Sequence, residues 1–313
     1  MDLTPIILFV YNRPKHTRQT VEALQRNALA DESELFIFSD GPKTPEAEIS
    51  VMAVRQYIHS IDGFKKIHLI ERERNYGLAN SIITGITEIV NQYGKVIILE
   101  DDIVTSPFFL RFMNEALHGY QNEEIIMQIS GYMFPVALKR NEDTLLLPFT
   151  SIWGWATWQR AWKHFDPALS GHEKLKRSKQ LQKKFNINNS YPFVRMLEAQ
   201  LKGEINTWDI GWYLSVFLLN GLTLFPSISF TRNIGFDGSG VHCSQEDIFT
   251  SSVLASEYRG LQLIQDIRVD ESSLQIISTY LKTKNPSPIK SYLNAIMSKL
   301  GILKKITAVR LTD

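Results

Sequence analysis

Four short strand-like runs, Pro5–Tyr11, Leu35–Ser39, Lys66–Ile70 and Val96–Leu99, punctuate the first hundred residues of this chain. Between them lie His16–Asn27, Glu46–His59 and Gly77–Gln92, whose apolar side chains recur at helical spacing, as in Ile82, Ile83, Ile86, Ile89 and Val90. Strands separated by helices of this length cannot pair as hairpins. They require right-handed crossovers, which predicts an α/β fold with a mostly parallel central sheet flanked by helices. Ligands of such sheets bind beyond the carboxyl ends of the strands. The Asp40-Gly41-Pro42 turn and the acids Glu100-Asp101-Asp102 both fall at such ends.

Three consecutive carboxylates at the mouth of a buried strand repel one another and are costly to desolvate. A divalent cation relieves that repulsion, and hard oxygen ligands suit Mg2+ or Mn2+. Capping of the next helix, which Ser106-Pro107 opens, accounts for Ser106 but not for three acids.

The rest of the chain is less regular. Phe108–Tyr120 reads as a helix, Ile125–Ser130 as a strand, Lys174–Lys184 as a lysine-rich helix and Trp208–Leu219 as an apolar helix. Leu222–Phe230 reads as extended chain interrupted by Pro226, and residues 151–165 hold four of the six tryptophans. A domain over residues 1–250 and a C-terminal helical extension over 251–313 are expected. Residues 285–308 carry the pattern of a basic amphipathic helix, suited to an anionic lipid surface, to packing on the domain or to a dimer.

A formal net charge of +1 provides no field to recruit nucleic acid, which is not expected as a partner. The single cysteine, Cys243, rules out an internal disulfide framework. No run reaches the roughly 18–20 apolar residues of a membrane span. The first apolar run is too short for a secretory signal, and Asn12-Arg13-Pro14 is no cleavage site. A cytoplasmic protein is expected, with peripheral contact at the inner face of the membrane if the tail helix meets lipid.

Five pieces occur in order: Val10-Tyr11-Asn12-Arg13-Pro14, Ser39-Asp40-Gly41, Asn75-Tyr76-Gly77-Leu78-Ala79, Leu99-Glu100-Asp101-Asp102 and Trp208-Asp209-x-x-Trp212. Pro226-Ser227-Ile228-Ser229 and Gly240-Val241-His242 follow. Together they resemble inverting glycosyltransferases of the GT-A (nucleotide-diphospho-sugar transferase) fold, similar to family 2 and to the N-acetylglucosaminyltransferase I type. The resemblance spans about residues 5–245. It implies transfer of a sugar from a nucleotide-diphosphate donor, with UDP expected, to a hydroxyl of a glycan or lipid-linked glycan acceptor, with Mn2+ or Mg2+ as cofactor.

By position, the resemblance gives Asp102 the metal and Asp101 the ribose or sugar of the donor, with Glu100 bonding nearby. Asp40 resembles the acid that contacts uracil or ribose, although Asp-Gly is also ordinary turn chemistry. Tyr11, Asn12, Arg13, Arg74, Asn75 and Arg232 are the other donor-binding candidates; the arginines read equally as solvated surface charges. Asp209 is the candidate general base, because inverting transfer needs a carboxylate to take the acceptor proton. An acid in a first helical turn also simply complements the helix dipole. His242 is a candidate metal ligand. Trp153, Trp155, Trp208 and Trp212 are candidate acceptor platforms, with a buried aromatic core as the alternative.

Two other functions stand against this one. A nucleotidyltransferase would want a Gly-rich, basic loop where Tyr11-Asn12-Arg13-Pro14 stands. A non-catalytic nucleotide-sugar or glycan-binding protein would keep the fold without turnover.

Overall fold

A computed structural model describes residues 3–138, 142–237 and 253–284. The first half runs β1 (Ile6–Val10), α1 (Pro14–Gln25), β2 (Glu34–Ser39), α2 (Pro45–Ile58), β3 (Lys66–Glu71), α3 (Leu78–Tyr93), β4 (Lys95–Glu100), β5 (Ile103–Thr105), α4 (Phe109–Gly119) and β6 (Ile126–Ser130). Then come β7 (Thr144–Leu147), β8 (Trp155–Trp158), α5 (Gln159–Trp162), α6 (His172–Lys176), α7 (Lys179–Phe185), α8 (Phe193–Leu201), α9 (Asp209–Leu218), β9 (Leu222–Pro226), β10 (Thr231–Asn233) and α10 (Glu271–Lys284).

Eight strands form one sheet in the order β3-β2-β1-β4-β8-β6-β9-β7, and β10 pairs with β5 in a separate ribbon. The β3-β2-β1-β4 half is parallel throughout, as the strand–helix alternation requires. β6 and β9 are also parallel, while β8 runs antiparallel between β4 and β6, and β7 antiparallel to β9. The chain is therefore an α/β protein with a mostly parallel central sheet flanked by helices.

Alternation along the strands divides the core. Ile6, Leu8, Val10, Leu35, Ile37, Ile97 and Leu99 face one side with α1 and α4. Ile7, Phe9, Phe36, Phe38, Val96 and Ile98 face the other, against α3. A strand buried on both faces reads as a continuous apolar run, which is why β1, β2 and β4 were legible. Helix α3 lies close to the sheet because a Cβ on Gly85 would stand 2.8 Å from the Phe9 ring.

Register places the site. Val10 pairs with Ser39, and Phe9 with Glu100. Residues just past these pairs, Tyr11, Asp40 and Asp101, therefore leave the sheet along one edge.

Several expectations need correction. The tryptophan segment, read as less regular chain, contains strand β8, which runs antiparallel between β4 and β6. Lys174–Lys184 is two helices, because the chain breaks after Lys176 and the Ser178 hydroxyl accepts from Leu181 N at 3.2 Å to start α7. Strands β5, β7 and β10 are three or four residues long, too short for periodicity to reveal. Helix α10 buries Leu274, Ile277 and Leu281 in a third apolar cluster with Leu145, Tyr213 and Phe225. The basic tail, residues 285–308, lies outside the described residues, among which no helix is long and apolar enough to cross a membrane.

Candidate active site

The strand end delivers its acids into a confined space. Asp101 and Asp102 are 5% and 7% exposed, and both carboxylates turn to one guanidinium, that of Arg13 at the end of the β1 loop. Arg13 Nε donates to Asp101 Oδ2 at 3.3 Å, Nη2 donates to Asp101 Oδ1, and Nη2 stands 2.9 Å from Asp102 Oδ2. Burial opposes the charge on Arg13, but the two aspartates outweigh it and hold the guanidinium firmly protonated.

One cation cannot balance three acids. Burial, then Asp102 and Asp101, push the Glu100 carboxyl up to about 8. Burial also raises Asp101; Arg13 pulls it back, and the balance with Asp102 leaves it at about 6. Among the described residues one guanidinium thus meets two aspartates, and a proton on Glu100 relieves part of the remaining repulsion. Among the described residues, no three His, Cys, Asp or Glu side chains converge as a metal cage.

Beside the acids, the loop before α3 is tied to the end of β2. Asp40 is buried, and its carboxylate accepts from Tyr76 N at 2.9 and 3.0 Å, from Gly77 N at 3.0 Å and from Gly41 N at 3.2 Å. Asn75 Nδ2 donates to the Gly41 carbonyl at 2.8 Å. Asp40 and Asn75 therefore form a clasp that positions the first turn of α3. Gly41 sits so close to the Arg74 backbone that a Cβ there would stand 2.6 Å from its carbonyl carbon. The Tyr11 hydroxyl accepts from Lys43 N at 3.0 Å, and Asn12 is half-buried. Arg74 is exposed, with its guanidinium 5.6 Å from the Tyr76 ring.

The β5–β10 ribbon closes the other side of the acids. Ile234 N donates to the Asp102 carbonyl at 2.8 Å, and Gly235 N donates to Asn233 Oδ1 at 2.7 Å. Asn233 is buried, whereas Arg232 is exposed opposite Val104, so strand alternation sends it to the other face. His16 Nε2 lies 3.2 Å from Asp237 Oδ2 and near enough to Asp101 to oppose the rise of its carboxyl. Neither His16 nor Gly235 was legible as a site residue, since no local pattern marks them. His242 lies outside the described residues.

The tryptophans divide. Trp155, Trp208 and Trp212 are 1%, 4% and 0% exposed. Trp155 stacks on Trp208 with centroids 5.5 Å apart, and Trp212 Nε1 donates to Gln128 Oε1 at 2.6 Å. These three are core, not acceptor platforms, because no face is left for a sugar. Trp153 differs: it packs edge-on against Tyr132 at 4.6 Å and Phe236 at 5.6 Å, and it lines a cavity of about 170 Å³.

Asp209 opens onto that same cavity as the first residue of α9. The Thr207 hydroxyl donates to Asp209 Oδ1. The charge on Asp209 contributes to the rise at Glu100, and, after burial, to the upward shift of the Tyr191 hydroxyl. Tyr191, Phe193 and Met196 come from the α8 region, which sequence periodicity did not single out.

Three solved structures resemble this chain weakly. A mannosyltransferase from Pyrobaculum calidifontis, in complex with GDP-Man and Mn2+, is 12% identical, with 69% of this chain and 73% of that one covered and a TM-score of 0.38. TarS from S. aureus is 12% identical with a TM-score of 0.42; the match covers 75% of this chain and 37% of TarS. Glucosyl-3-phosphoglycerate synthase from Mycobacterium tuberculosis, solved with Mn2+, UDP-glucose and phosphoglyceric acid, is 11% identical, with 52% and 58% covered and a TM-score of 0.31. No curated protein sequence matches the chain. The family model for glycosyl transferase family 2 matches residues 6–188, which carry the parallel half-sheet, the Arg13 clasp and the acidic strand end. The chain belongs to glycosyl transferase family 2, and it is a glycosyltransferase.

Proposed function

We propose that the chain moves a sugar from a nucleotide-diphosphate donor, UDP-linked, to a hydroxyl of a glycan acceptor with inversion at the anomeric carbon. The observation that carries this is the placement of Asp209. It lies more than a hundred residues beyond the acidic triplet, yet it opens onto the aromatic cavity whose Trp153 packs on Phe236, the neighbour of the Gly235 that abuts Asp102. A base on one side and a charged leaving-group site on the other are what in-line displacement needs.

The residues at the strand end suit a divalent cation. Two aspartates share one guanidinium, with Glu100 beside them in sequence, and the second oxygen of Asp102 accepts no hydrogen bond from a described residue. Asp102 would hold Mn2+ or Mg2+, with donor oxygens and water completing the shell. Such an ion stabilises negative charge on a departing diphosphate. Asp101, fixed by Arg13, presents its remaining lone pairs toward the ribose or sugar, and Glu100 bonds beside it. Tyr11, Asn12, Arg13, Asn75 and Asp40 frame the nucleoside, Arg74 reaches it from the loop, and Arg232 contributes from β10 only if its strand turns. His242, outside the described residues, is the remaining candidate ligand for the metal or phosphate.

On the acceptor side, Asp209 takes the hydroxyl proton as that oxygen attacks. The Thr207 hydroxyl orients its carboxylate. A lipid-linked glycan would bring the enzyme to the inner face of a membrane, with the basic tail against lipid.

Asp209→Asn tests the assignment. Transfer should fall by about 10²–10⁴-fold, the usual contribution of general base catalysis, while UDP and Mn2+ binding by calorimetry stay within twofold. Transfer at the wild-type rate, or a product with retained configuration by NMR, overturns it.

A further inference from the structure

The cavity at Asp209 has a chemical character that narrows the acceptor. Its walls come from four separated places: Tyr132 and Trp153 beside the sheet, Tyr191 and Phe193 at the start of α8, Tyr213 on α9 and Leu281 on α10. Among the described residues Asp209 is the only charged one that lines it, and no described lysine, arginine or histidine does. An anionic acceptor would therefore lose its hydration, gain no cation and face a carboxylate. Few polar groups are available, chiefly Asp209, Thr150, Ser151 and the Tyr191 hydroxyl. A ring hydroxylated at every carbon would leave donors and acceptors unpaired against phenyl and indole surfaces.

The wall is also held in place. Phe193 packs tilted against Tyr191 at 4.6 Å and edge-on to Tyr213 at 5.0 Å. Helix α10 is pinned by Ser278 Oγ donating to the Ile187 carbonyl at 3.2 Å and by Asp270 N donating to the Leu146 carbonyl at 2.9 Å. Leu281 thus reaches the cavity from a helix beyond the segment matched by the family model. Aromatic rings so supported offer a preformed apolar surface, and a sugar presents one too on the face that carries its axial hydrogens.

We propose that this cavity is the acceptor subsite and selects a neutral sugar ring that carries a methyl group, at a deoxy carbon or in an acetamido substituent. The assignment rests on Asp209 as the base of the transfer proposed above. The methyl group lies against Phe193, Met196 and Leu281, and a ring hydroxyl lies at Asp209.

Saturation-transfer NMR on the full chain tests this without turnover, with four methyl glycosides as probes: a 6-deoxyhexoside, an N-acetylhexosaminide, a hexoside and a hexuronoside. The first two should bind, with strongest saturation at the deoxy-carbon or acetamido methyl rather than at the glycosidic O-methyl; the hexoside should bind more weakly than these, and the hexuronoside at least about tenfold more weakly. Phe193→Ala should weaken the neutral probes severalfold. Met196→Lys, at a half-buried position where a lysine can reach solvent, should strengthen hexuronoside binding. A hexuronoside that binds wild type as well as the neutral sugars do, or neutral binding unmoved in both Phe193→Ala and Met196→Lys, overturns the assignment. Normal transfer by Asp209→Asn would instead remove the base while leaving the subsite standing.

Discussion

Gly235 rests against the Asp102 carboxylate: the place a Cβ would occupy is filled by Asp102 Oδ2, with Arg13 Nη1 3.2 Å away. The neighbouring Ile234 N donates to the Asp102 carbonyl. The turn after β10 is therefore moulded onto the acid proposed to hold the ion, and any side chain at 235 displaces that carboxylate.

Gly235→Ala should reduce transfer by at least tenfold. Overpacking of this kind costs about 1–3 kcal/mol, so the fold should survive. Paired measurements of activity and urea unfolding check both parts; a fully active alanine variant would show that the Asp102 position is not critical.

Among the described residues Arg13 is the one guanidinium that pairs with Asp101 and Asp102. Arg13→Ala leaves two buried carboxylates without their partner, and breaking such a pair by removing one member costs about 3–5 kcal/mol. The expected outcome is a large fall in the urea midpoint with an unchanged slope. A shift no greater than that of an exposed arginine such as Arg74→Ala would show the pair to be energetically idle.

Trp153 and Trp155 should separate function from stability. Trp155 is 1% exposed in the tryptophan cluster, and truncating a buried indole to alanine costs about 3–5 kcal/mol. Trp153→Ala should instead retain most of the melting temperature and lose acceptor turnover, read as a rise in acceptor KM. Reversed outcomes would return Trp155 to the acceptor site and move Trp153 to the core.

Glu115 on α4 gathers the returning chain. Its carboxylate accepts from Arg111 Nε at 2.8 Å, from the Tyr258 hydroxyl at 2.7 Å and from Leu261 N at 2.8 Å. Burial would raise this carboxyl, but the hydrogen bonds from Tyr258, Arg111 and Leu261 outweigh burial and hold it below its ordinary value. A depressed folded pKa means stabilisation that is complete above the unfolded value of about 4.3 and lost as pH falls through the folded one. Glu115→Gln should cost about 1–2 kcal/mol near pH 7, moderated by partial exposure. That difference from wild type should shrink steadily below about pH 4. Equal gaps at pH 7 and pH 3 in denaturant titrations would contradict it.

The four strands of the parallel half-sheet, their helices and the acids at the strand ends were legible because each is a local pattern: a run of apolar residues, a helical period, charges at a mouth. Strand β8 was not, because Trp155-Ala156-Thr157-Trp158 looks the same as a core stripe or a binding platform until its hydrogen bonds to β4 and β6 are seen. For the same reason Trp155, Trp208 and Trp212 were read as sugar platforms. An indole's identity does not say which of its faces is covered.

By itself, the order of residues determined the α/β class, the edge of the sheet at which the candidate site residues gather, and the resemblance that names Asp102 and Asp209. Tertiary structure alone decided that Arg13 is shared by Asp101 and Asp102, that Gly235 abuts Asp102, and that residues from positions 132 to 281 enclose one aromatic cavity beside Asp209. The division has a physical cause. Secondary structure follows from contacts three or four residues apart, whereas charge compensation and cavity shape arise between segments a hundred or more residues distant, where sequence spacing carries no distance.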